Sequence, residues 1–230
     1  MDAMTTPDEQ PVKSSTDHVD AAARRAIDDP TAALALLPGV AASIRRDAAG
    51  GLFDAWELSS AVDENTQEPV VPEALFHHLH AAAGLDATWP AGNAGLVHVY
   101  GYLFSLAETP YGLKRERWLD AGLAAAYGER TLFHAEALSG GAVSVTPLAR
   151  ITGAARALLA EHPVREERIG PVRARIAIGR RSASGPFALA YAIDRGAGER
   201  LVTTFPISSP AETLAAIDAG PPRLRWNAVE

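Results

Sequence analysis

Apolar positions along this chain recur first at helical spacing and then, from about residue 163, at strand spacing. Leu75, Phe76, Leu79, Ala82 and Ala83 share one face of a 3.6-residue repeat that Pro72 opens and Gly84 stops, which predicts an amphipathic helix. Asp17 is a natural N-cap for a helix through Ile27. Asp28-Asp29-Pro30 interrupts it, and a second helical stretch from Thr31 breaks or kinks at Pro38-Gly39 before Arg46. A short helix over 52–60 and a polar loop over 63–69 follow. The run from Gly95 to Ala107 is apolar nearly all round, which predicts a buried central helix. Thr109-Pro110-Tyr111-Gly112 breaks it, and a second helix over 113–127, closed by Gly128, completes an expected helical hairpin. Residues 147–161 predict one more helix, started by Pro147 and ended before Pro163.

The period then shortens to two. Val172, Ala174, Ile176 and Ile178 alternate with Arg173, Arg175 and Ala177; Phe187, Leu189, Tyr191 and Ile193 alternate with alanines; Leu201, Thr203, Phe205 and Ile207 alternate with Val202, Thr204 and Pro206. Turn formers join them at 182–186 and 194–198, so three strands in an antiparallel meander are expected, with a short helix over 210–219. The expected class is α+β: a helical N-terminal two-thirds with a central helical hairpin, packed on a small antiparallel sheet of about three strands. Residues 1–17 carry almost no apolar content and are expected to form a disordered leader. Residues 18–230 are expected to form one domain, helical over 18–162, with the meander and short helix over 163–220.

Composition narrows the chemistry more than it names it. With no cysteine among 230 residues, disulfides, thiolate nucleophiles and Cys-ligated metals are excluded. The net charge of −7 gives the whole protein no electrostatic reason to approach nucleic acid or an anionic membrane. No stretch is long and apolar enough for a membrane helix, and the acidic N-terminus lacks the basic and apolar regions of a secretory signal, so a cytoplasmic location is expected. The scarcity of lysine beside abundant arginine and alanine reflects a GC-rich genome, which lowers the weight of any single Arg. Serine-elbow, Walker, dinucleotide-binding and calcium-loop motifs are absent.

Candidate chemistry concentrates between His98 and Trp118, which holds three of the five tyrosines and Lys114, one of two lysines. At helical spacing His98, Tyr102 and Ser105 share a face, and Tyr100, Phe104 and Glu108 share another. Histidine moves protons near neutral pH, tyrosine donates to a developing oxyanion, and a desolvated lysine serves as base or cation. The expected catalytic set is Glu108, His98, Tyr102 and Lys114. Projection of the Leu119, Leu123, Ala126 and Tyr127 stripe turns Arg115 inward, where it meets either a carboxylate that fixes the hairpin or a ligand anion. Arg115, Tyr111 and Arg117 form the expected substrate-binding set, with Arg115 and Glu108 ranked ahead of Lys114. His77, His78 and His80 lack the spacing and acidic companion of a zinc helix and read as a solvated flank, so no metal or cofactor is expected.

These residues point to a metal-independent enzyme acting on a small carboxylate- or phosphate-bearing metabolite, with a specialised biosynthetic pathway as a fitting setting. The rival is a non-catalytic binding or regulatory protein. Six arginines lie between Arg165 and Arg181, and alternation puts Arg173 and Arg175 on a face lined by Ala188, Ala190, Ala192 and Thr204, which would meet an acidic partner if exposed.

Overall fold

A computed structural model describes residues 12–230 except Tyr111, Asp120, Ala142 and Ser182, and describes only the backbone of residues 12–16, Arg117, Trp118 and Ala121. The expected leader falls mostly outside this range; the described backbone is helical from Val12. Helices α1 (Val12–Arg25), α2 (Pro30–Ala35) and α3 (Pro38–Ala49) are separated where Pro30 and Pro38 each restart the helix at its first turn. Asp29 caps α2 by accepting the Ala32 N–H at 2.9 Å. Strand β1 (Leu58–Ser60), helix α4 (Glu73–Ala83) and strand β2 (Ala91–Asn93) follow, with β1 and β2 antiparallel.

The expected central hairpin of two helices is replaced by different structure. Leu96–Tyr100 forms a π turn and Gly101–Phe104 a 3-10 turn, after which Ser105 is extended. The chain then makes a two-residue ladder of β3 (Glu108–Thr109) with β4 (Gly112–Leu113), where Thr109 Oγ1 donates to the Gly112 carbonyl at 2.8 Å and Gly112 takes a left-handed φ of 89°. Thr109 and Gly112 thus face each other across a short antiparallel ladder. Of the helix expected over 113–127, the described residues are helical over α5 (Glu116–Leu119) and α6 (Ala121–Ala126). Helices α7 (Ala135–Ser139) and α8 (Pro147–Glu161) complete the helical part.

The C-terminal sheet also differs from expectation: it has four antiparallel strands in sequence order, β5 (Pro163–Ile169), β6 (Val172–Gly179), β7 (Phe187–Asp194) and β8 (Glu199–Ile207), not three. The additional strand β5 is an edge strand of Arg and Glu residues, whose charge masks the apolar alternation and discourages edge-to-edge pairing. Helix α9 (Pro210–Asp218) and the C-terminal tail cover one face of the sheet.

The other face explains the alanines. Ala177, Ala188, Ala190 and Ala192 are fully buried and belong to the main core with Leu158 and Leu159 of α8. A Cβ on Gly179 would sit 2.7 Å from Leu158 Cδ1, so small residues here let the helix approach the sheet closely. The expected exposed basic face is therefore a buried alanine face. Arg173 pairs with Asp194 at 3.1 Å, while Arg175 pairs with Glu199 at 2.9 Å and donates to the Leu159 carbonyl. Among the described residues no helix is long and apolar enough to cross a membrane.

Candidate functional site

A cavity of about 410 Å³ lies at the outer edge of β8. It is walled by the loop after β1, the π and 3-10 turns, Lys114, α6, α9 and the C-terminal tail. Wide π turns recur at functional positions because they rotate side chains out of helical register. Here the turn carries His98, and Tyr102 packs beside it with ring centroids 5.0 Å apart. Lys114 Nζ lies 5.2 Å from the Tyr102 ring centroid, in cation–π range.

Lys114 also makes a 2.6 Å ion pair with Asp63 Oδ2, and the Asp63 side chain is only 1% exposed. The other carboxylate oxygen accepts the N–H groups of Asn65 and Thr66 at 2.9 and 3.1 Å, the Asx-turn geometry. Burial alone would raise the Asp63 carboxyl, but the hydrogen bond and charge of Lys114 and these two backbone donors outweigh it and hold the group below the usual range. Lys114 is thus a fixed cation, held by a carboxylate that stays ionised.

His98 is the most perturbed group on the wall. Burial first, and the nearby Lys114 charge second, push it down to about 3, against a smaller opposing effect of the Val202 backbone. Its Nε2 is 3.4 Å from Ser59 Oγ, and that hydroxyl donates to the Asn227 carbonyl at 3.1 Å. His98 Nδ1 is a buried atom with no hydrogen-bond partner among the described residues. A neutral imidazole beside an ammonium sets a group that can exchange a proton next to one that can hold a negative charge.

The far wall comes from the tail. Trp226 and Asn227 adopt left-handed φ values of 52° and 65°, unusual for residues other than glycine. Hydrogen bonds hold them there: Trp226 N–H donates to Glu64 Oε2 at 3.0 Å, Ser60 N–H to the Asn227 carbonyl at 2.7 Å, and Glu64 N–H to Asn227 Oδ1 at 3.1 Å. The Trp226 ring stands edge-on to Tyr191 and Phe205. Arg223 lines the cavity, exposed and without an ion pair among the described residues. Arg225 is buried against Glu167 at 3.6 Å and the Ile217 carbonyl at 3.2 Å.

Of the sequence-derived candidates, His98, Tyr102 and Lys114 line this cavity. Arg115 does not: it is buried toward α1, paired with Asp20 at 2.9 Å. Glu108 is exposed on β3 and is not a cavity-lining residue. Tyr111 and the Arg117 side chain lie outside the described residues. Of the two residues ranked ahead of Lys114, Arg115 is turned inward to Asp20 and Glu108 lies exposed, neither of them on the cavity wall. His80 is buried rather than solvated, with Nδ1–H donating to the Phe76 carbonyl at 2.8 Å and Nε2 accepting the Asn93 N–H at 3.0 Å. Sequence reasoning missed Asp63, Ser59, Arg223 and Asn227. For Asp63 the spacing Asp-Glu-Asn-Thr is a visible Asx-turn signal; the other three depend on long-range contacts that no local pattern encodes.

A second buried polar group lies outside the cavity-lining set. Tyr100 donates to Asp47 Oδ2, and Thr146 Oγ1 donates to Asp47 Oδ1 at 2.5 Å. Burial raises the Asp47 carboxyl despite these two donors, and burial followed by the Asp47 charge raises the Tyr100 phenol. None of the three lines the cavity, so the group serves to hold α3, the π turn and the start of α8 together.

The chain matches no protein-family model, no curated protein and no solved structure.

Proposed function

We propose that the protein is a cytoplasmic enzyme that acts on a small anionic metabolite in the β8-edge cavity by acid–base and electrostatic catalysis supplied by its own side chains. One observation carries this reading: Asp63, His98, Tyr102 and Lys114, drawn from separate stretches of chain, converge on the wall of one cavity large enough for a metabolite. In this reading the Lys114 ammonium holds the substrate carboxylate or phosphate, His98 accepts the proton, and the Tyr102 hydroxyl donates to the oxygen where charge develops. Asp63 positions Lys114. The bound anion also relieves part of the Lys114 charge that depresses His98, so substrate binding makes the imidazole a stronger base.

The rival reading, an acidic partner on a basic sheet face, loses its support because the face is buried and both arginines have carboxylate partners of their own. No nucleic-acid or membrane partner is proposed. The test is a thermal-shift panel of small carboxylates and phosphates against the wild type and the Asp63→Asn/Lys114→Met double variant, which removes the cation without leaving a buried carboxylate unpaired. The expected result is a rise in melting temperature for a subset of anions that the double variant loses. Anions that stabilise both proteins equally would contradict the reading.

A further inference from the structure

The cavity lining combines positive charge with apolar surface that the fold leaves partly uncovered. Lys114 and Arg223 supply the charge, and Arg223 is exposed with no hydrogen bond or ion pair among the described residues. Phe205, Ile207 and Trp226 supply the apolar part. All three line the cavity and pack against the smaller core beneath α9, yet each stays only half-buried. A ligand that covers such surface gains affinity in proportion to the apolar area it removes from water.

Trp226 is set at this wall against its own backbone preference. Its φ of 52° lies in the left-handed region, where a bulky side chain is crowded. The Trp226 N–H on Glu64 Oε2 at 3.0 Å and the ring contacts with Tyr191 and Phe205, at centroid distances of 4.9 and 5.7 Å, hold it there. Strain of this kind persists only where the surroundings enforce it, and it gathers at ligand clamps. The lining also limits how much charge a ligand can carry. Asp63 and Glu64 stand on it beside Lys114 and Arg223, so a second negative charge would meet carboxylates.

Building on the proposed anion site, we infer that the cavity takes an amphipathic monocarboxylate: one carboxylate held by Lys114, with Arg223 as a second cation, and an apolar body of several carbons covered by Phe205, Ile207 and Trp226. Lys114 already shares its charge with Asp63, so the carboxylate fixes orientation and the apolar body supplies most of the affinity. Each methylene group that the wall covers is worth up to about fourfold in binding.

Calorimetric titration of butanoate, octanoate and octanamide, which keeps the chain without the charge, separates the parts of this inference. The expected result is that wild type binds octanoate at least tenfold more tightly than either other probe, and that Asp63→Asn/Lys114→Met weakens octanoate at least tenfold. Trp226→Gly removes the ring and accepts the left-handed backbone without strain. It is expected to reduce the preference for octanoate over butanoate at least fivefold; an undiminished preference overturns the apolar wall. Should Trp226→Gly not fold, the wild-type preference decides alone. Equal binding of butanoate and octanoate, both weakened by the double variant, overturns the apolar body and leaves the anion site standing. Binding of neither, with a phosphate or another carboxylate still raising the melting temperature of the wild type, has the same meaning. Octanamide bound as tightly as octanoate, with the double variant unchanged, overturns the anion site and the inference together.

Discussion

His98 shows most directly how burial sets chemistry. Its folded-state value of about 3 lies below the ordinary histidine value of 6.5, so between those two pH values the unfolded chain binds a proton that the folded chain refuses. Stability contributed by keeping this ring neutral is therefore complete above pH 6.5 and is lost as pH falls toward 3, with a slope approaching about 1.4 kcal/mol per pH unit. His98→Leu removes the titration. Urea unfolding at pH 7 and pH 4.5 should accordingly show the wild type losing stability relative to the variant at the lower pH; a difference between the two proteins that does not change with pH would show that the ring is not buried neutral. The two tyrosines of the same segment separate by role. Tyr100→Phe takes one donor from the buried Asp47 carboxyl and is expected to cost about 1–3 kcal/mol of stability while leaving anion binding unchanged. If ligand affinity falls with it, the Asp47 group is coupled to the cavity and its purely structural role is wrong.

At the scale of elements, close approach is what fixes the turn that carries His98. Gly95 precedes the π turn, and a Cβ there would lie 2.7–2.9 Å from the fully buried Trp56 ring, itself tied to Thr152 by a 2.9 Å hydrogen bond. Gly95→Ala should destabilise the fold by about 1–3 kcal/mol through overpacking, measured by denaturant unfolding; a neutral result would mean the Trp56 ring has room to move. The same elements show what the sequence could and could not convey. Helices α4 and α8 were legible because each has a one-sided apolar stripe and explicit start and stop residues. Strands β6, β7 and β8 were legible from alternation. The stretch 95–104 was not, because a segment apolar on all sides carries no periodicity to tell an α-helix from a tighter or wider turn. Strand β5 was hidden by its own Arg and Glu residues. Projection of the apolar stripe turned Arg115 inward, and of the two partners expected for it, a carboxylate or a ligand anion, the fold supplies a carboxylate, Asp20 of α1, from outside the hairpin.

For the whole molecule, part of the charge is settled in ion pairs between its own side chains. Arg173 and Arg175 of β6 are paired with Asp194 and Glu199, and surface pairs of this kind contribute less than about 1 kcal/mol each, so they do not drive the fold. The cavity stands apart because it sets a fixed lysine, an arginine without an ion pair among the described residues and a neutral imidazole beside β8, closed on the far side by a tail that the sequence alone gave no structure. The central claim is that Lys114, and not Arg115, is the anion-holding group. Calorimetric titration of the strongest stabilising anion into wild type, Asp63→Asn/Lys114→Met and Arg115→Lys, which keeps a cation opposite Asp20, tests it most directly. The account predicts at least a tenfold loss of affinity in the double variant and wild-type affinity in Arg115→Lys; unchanged affinity in the double variant, or a loss confined to Arg115→Lys, would contradict it.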